Sequence, residues 1–170
     1  ILLFPSGKPL PQHAACEAAG LTDAKTYINS GNLVFKSAKP KDEVRDLLQR
    51  LVEEKFDLSA NRVVVLTPEE LHSVIKSNPF PDSALQNPNT LHVHFLLAQP
   101  KDNADLMLTS YKGPDRLRRA GSHVYISYAV SVGSAALTAS FLEKALGSPG
   151  TSRNWTTCQA LLALAQGRNI

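Results

Sequence analysis

The sequence predicts an α+β protein of two tandem units, each an antiparallel sheet carrying helices, with an additional C-terminal helix. Three observations lead there. Apolar or partly alternating runs of strand length, such as 63–66 and 91–98, are separated by stretches whose apolar residues recur at helical spacing. Gly, Pro and Asn punctuate the joints between them. The order of elements in residues 1–77 also recurs after residue 89, in order rather than residue by residue.

Residues 1–4 (ILLF) read as a buried strand. After the Pro/Gly-rich stretch 5–11, residues 12–19 read as a short helix stopped by Gly20. Two extended runs, 25–28 and 33–37, are joined across Asn29, Ser30, Gly31 and Asn32, residues that tolerate the positive φ of a hairpin reversal. Pro40 opens a helix with Val44, Leu47, Leu48, Leu51, Val52 and Phe56 on one face. A β-branched strand follows at 62–66, then a helix over 68–76. Thr67 stands at its cap, Pro68 at its first position and Glu70 three residues past the cap. The order β-α-β-β-α-β is that of the ferredoxin-like split unit.

The loop 78–89, rich in Pro and Asn, reads as a linker, so the expected division is 1–77, 78–89 and 90–170. Beyond it come a strand at 91–98, a helix over 101–110, a strand at 116–119, a turn at Gly121 and a strand at 123–128. Helices over 137–146 and 155–165 follow. In this reading the terminal helix replaces or covers the last strand of a second ferredoxin-like unit.

With 170 residues and 43% hydrophobic side chains, the chain can bury a core. Its apolar runs fall far short of the roughly 20 residues a membrane span needs, and a cytoplasmic monomer or weak dimer is expected. The chain opens at Ile1 in mid-strand without an initiator Met, a start compatible with further residues upstream. Cys16 and Cys158 lie far apart among apolar neighbours and read as buried small hydrophobes. The net charge of +3 permits an anionic partner without requiring one.

Four stretches carry a family resemblance: "LTDAKTYINSGNLVF" (21–35), "SNPFPD" (77–82), "LHVHFL" (91–96) and "LTASFLEKALGSPGTSRNWTT" (137–157). In this order, and across nearly the whole chain, they resemble the bacterial family called domain of unknown function 1697. The resemblance implies two ferredoxin-like units and a set of polar residues with no assigned activity. The chain also departs from the family pattern. Where members carry a glycine-rich R-G-I-N-V-G-G loop after the first strand, residues 4–11 read "FPSGKPLP", and the family's S-K-L-T is "AALT" at 135–138. These changes remove two cations and several backbone amides suited to an anion, so a weakened or degenerate site is expected.

Two loops concentrate the candidate residues. Asn29, Ser30, Gly31 and Asn32 could grip a polar ligand through amides and a hydroxyl, or could serve hairpin geometry alone. Arg153, Asn154 and Trp155 precede the last helix, where Ser152 or Asn154 is expected to cap and Arg153 adds a charge that favours an anion. Trp155 could equally seal the gap between the two units. The leading expectation is a binding protein in which both loops meet at one pocket for a small polar or anionic ligand, with no cofactor.

Other readings are weaker. His92 and His94 share a strand face, yet no third ligand has recognisable spacing, so no metal is expected. Lys112, Arg116, Arg118 and Arg119, near Tyr111 and Tyr125, could form a basic sheet face for RNA. The chain has no G-x-S-x-G, no phosphate-binding loop and no paired-carboxylate signature, and the reading leans away from an enzyme without excluding one.

Overall fold

The computed structural model describes residues 1–4, 16–17, 19–28, 31–56 and 63–168. Their contacts separate two compact units, Ile1–Val74 with Ala160–Ile170, and Ile75–Gln159.

In the first unit the strands are β1 (Leu2–Leu3), β2 (Thr22–Thr26), β3 (Asn32–Lys36) and β4 (Val64–Val65), with helices α1 (Lys41–Phe56) and α2 (Pro68–Lys76). The sheet order is β2-β3-β1-β4 with every pair antiparallel. Leu2 lies opposite both Leu33 and Val65, so the ILLF run is a central strand and apolar on both faces for that reason. The strands gather Leu2, Phe4, Leu21 and Leu33 over Val44 and Leu48, which stand four residues apart on α1. Each such fully buried aliphatic contributes about 1.5–3 kcal/mol relative to an exposed one.

The start of α2 is a reciprocal cap. Glu70 N donates to Thr67 Oγ1 at 3.2 Å, and Thr67 N donates to Glu70 Oε2 at 2.9 Å, as the T-P-E-E spacing predicts. Of the helix expected over 12–19, Cys16 and Glu17 are helical, while 12–15 and 18 lie outside the described residues.

The second unit contains α3 (Pro81–Gln86), β5 (Leu91–Leu96), α4 (Ala104–Thr109), β6 (Arg116–Ala120), β7 (His123–Ser127), α5 (Ala139–Leu146) and β8 (Gly150–Asn154). The last helix, α6 (Trp155–Ala165), begins in this unit, and its residues from Ala160 group with the first. The order β6-β7-β5-β8 repeats that of the first sheet, so each unit has the ferredoxin-like arrangement of second, third, first and fourth strand. Leu96, Val124 and Ile126 pack under Ala104, Leu108, Leu142, Ala145 and Leu146.

One expectation is corrected. The terminal helix does not replace the last strand: residues 150–154 form β8, paired with β5 from Leu96 opposite Gly150 to His92 opposite Asn154. The sequence GTSRN hid it because its buried side chains are Thr151 and Arg153 rather than aliphatics. Within 78–89 lies a short helix, α3, which starts at Pro81, where the missing N–H is not needed.

Among the described residues no helix is long and apolar enough to cross a membrane.

Candidate functional site

Asn29 and Ser30 lie outside the described residues. Gly31 and Asn32, the other half of the hairpin tip, each have a role in the fold. Gly31 has φ +76°, and a Cβ there would stand 2.5 Å from the Phe4 carbonyl oxygen. That close approach lets Phe4 N donate to Gly31 O at 2.8 Å and ties β1 to the turn. Asn32 is fully buried in β3 rather than at the tip. Its Nδ2 donates to the Tyr27 carbonyl at 3.0 Å across the reversal.

Gly31 and Asn32 belong to the first unit, and Arg153, Asn154 and Trp155 to the second. Arg153 is 5% exposed on β8, opposite Val93. Its Nη1 donates to Thr151 Oγ1 at 2.7 Å and to the Ser152 carbonyl at 2.8 Å. Burial draws the guanidinium down to about 10, still protonated at neutral pH. Of the two expected caps, Asn154 is the one used: its Oδ1 accepts from Thr157 N at 2.8 Å. Trp155, 4% exposed, opens α6 as a packing residue.

The polar group that sequence reasoning underrated is the pairing of β5 with β8. His92 lies opposite Asn154 and His94 opposite Ser152, so these four side chains share one sheet face. His94 Nδ1 and Ser152 Oγ are 2.9 Å apart. His92 Nε2 lies 3.1 Å from the Asn89 carbonyl oxygen, and the neighbouring Tyr128 ring meets the imidazole edge-on. A carbonyl oxygen only accepts, so neutral His92 carries its proton on Nε2 and presents a lone pair at Nδ1. That Nδ1 and His94 Nε2 are buried without a hydrogen-bond partner. Burial lowers the pKa of both rings, that of His94 to about 4, and keeps them neutral at pH 7. Asn154 has its oxygen turned to the helix, and its Nδ2 makes no hydrogen bond among the described residues.

A family model matches residues 11–125, more than half of the chain, under the description Protein of unknown function (DUF1697). The chain belongs to this family. A solved structure, the conserved bacterial protein SP0830 from Streptococcus pneumoniae, is similar to this DUF1697 chain at 19% identity. The likeness covers 97% of this chain and 96% of that one, with a TM-score of 0.69. At that identity it supports the fold. No curated protein matches the chain.

In the DUF1697 chain the basic segment is largely engaged. Arg116 stacks over Phe80 at 4.7 Å and donates to Asp82 at 2.7 Å and Ser83 at 2.6 Å. Arg119 pairs with Asp105. On the sheet face that Arg116 and Arg118 share, Tyr125, Val93 and Leu91 are fully buried. An RNA-stacking sheet presents its aromatics to the base, so this geometry gives that reading no platform. Catalysis finds little support either. His94 beside Ser152 resembles a base beside a nucleophile, but a ring whose pKa lies near 4 is a poor base at neutral pH. Among the described residues no three His, Cys, Asp or Glu are grouped to hold a metal.

Proposed function

We propose that this DUF1697 chain binds a small polar or anionic ligand on the strip formed by His92, His94, Ser152 and Asn154. The observation that carries the reading is His92, only partly buried and with its Nδ1 unpartnered. An unsatisfied buried polar atom costs about 1–3 kcal/mol, and a polar ligand whose N–H or O–H donates to that nitrogen recovers that energy. The partly buried His92 ring borders the surface beside Asn89 and Tyr128. Ser152 Oγ and Asn154 Nδ2 add donors for a carbonyl, carboxylate or phosphate oxygen. The sequence-selected residues Arg153 and Trp155 support the strip from β8 and α6, the one with a nearby positive charge and the other by packing.

The test is a thermal-shift panel of nucleotides, phosphorylated metabolites and amino acids, since a ligand that binds only the native state must stabilise it. Asn154→Asp keeps the capping oxygen and removes the amide donor. A ligand whose stabilisation is lost in Asn154→Asp and in His92→Phe supports the site. A ligand that stabilises both variants as it does the parent chain places binding elsewhere.

A further inference from the structure

Separate from that strip, the first unit carries a hollow of about 380 Å³ lined by Pro68, Glu69 and His72 of α2 and by Ala165 and Gln166 at the end of α6. This falls within the size range of small-molecule sites. Its charges are the informative part. Glu69 and Glu70 are neighbours with different duties. Glu70 caps α2 and pairs with Lys41 at 2.5 Å, whereas exposed Glu69 has no ion pair among the described residues. His72, three residues on, shares the helix face of Glu69. On the opposite wall α6 ends in a closed turn, with Gly167 at φ +75° and Arg168 N donating to Ala163 O at 2.9 Å. Arg168 also donates from its guanidinium to Gln166 Oε1, which fixes the Gln166 amide with its nitrogen free to donate.

One wall therefore offers a carboxylate and the other an amide donor backed by a guanidinium. We propose that this hollow takes a short zwitterion, an amino-carboxylate whose ammonium meets Glu69 and whose carboxylate meets the Gln166 amide, with the Arg168 guanidinium behind it. A molecule with a single charge satisfies only one wall, the carboxylate of Glu69 or the amide donor of Gln166.

The probes are glycine, 4-aminobutyrate and 6-aminohexanoate, which vary the separation of the two charges, with butylamine and butyrate as single-charge controls. Each is titrated into the 15N-labelled chain at low salt, where exposed charges are least screened. At least one zwitterion is expected to shift the backbone amides of 69–72 and 165–168 at concentrations where neither control does. Glu69→Gln and Arg168→Gln, both at exposed positions, are each expected to weaken that binding at least fivefold. If none of the zwitterions moves these amides, if the controls move them equally, or if both variants titrate like the parent chain, the proposal is overturned.

Discussion

Nδ1 of His94 lies 2.9 Å from the hydroxyl of Ser152, across a directly paired position of β5 and β8. The bond holds the imidazole flat along β8, and its other nitrogen faces Gly150, where a Cβ would come within 2.4 Å of it. A neutral ring fits this setting and an imidazolium does not.

Acid should therefore destabilise the fold through this ring. The unfolded imidazole titrates at its ordinary 6.5, and burial lowers the folded one to about 4. Between those values the unfolded chain binds more protons, so stability falls as pH falls from 6.5 towards 4. At about 1.4 kcal/mol per pKa unit, the loss attributable to His94 is about 3 kcal/mol. His92 and His123, lowered by burial as well, act in the same direction. Urea denaturation at pH 7 and pH 5 measures the slope, and His94→Leu should flatten much of it. An unchanged slope in that variant would show that the ring does not control it.

Gly31→Ala should destabilise the first unit more than Gly20→Ala. Both residues have positive φ, a conformation costing about 1–2 kcal/mol for an L side chain, but a Cβ at residue 20 meets nothing within 4 Å. At residue 31 it meets a backbone oxygen that cannot swing aside. The difference in urea midpoint between the two variants reads the steric part alone.

Asn154→Ala should cost about 1 kcal/mol through loss of the α6 cap, while Asn154→Asp and Asn154→Ser, which keep an acceptor, should fold with near-parental stability. Thermal melts of the three variants decide this. Equal losses in all three would mean that the amide nitrogen matters to the fold as well.

Arg116→Ala should cost more than Asp82→Ala. The ion pair is about half exposed on both sides and is worth well under 1 kcal/mol, whereas the guanidinium also stacks on Phe80 and bonds Ser83. Arg116→Lys keeps the charge and loses the planar stack, and it should resemble the alanine variant. A double-mutant cycle with Phe80→Leu isolates the stacking contribution.

The elements legible in the sequence were those whose side chains obey one period. Leu2, Leu33 and Val64 identify strands, and Val44 with Leu48 a helix, because burial in these places is aliphatic. The α2 cap was legible to the residue, since Thr67 and Glu70 carry out the chemistry their spacing implies. β8 was not legible. It buries Thr151 and Arg153, and the satisfaction of those groups depends on partners that spacing alone does not reveal. For the same reason the spacing puts Arg153 in a loop, while the structure places it on a buried strand. The His92 and His94 alternation was visible, but its partners Asn154 and Ser152 lie some 60 positions later and become neighbours only through the β5–β8 register.

β8 ends at Asn154 and α6 begins at Trp155, with no residue between them. A single side chain is thus the last rung of a ladder and the first anchor of a helix. A slip of one residue in the ladder would turn Arg153 outward and at the same time remove the oxygen that starts the helix. An insertion at this junction has no slack to absorb it, so sheet register and helix start form one mechanical coupling, and neither can drift without the other.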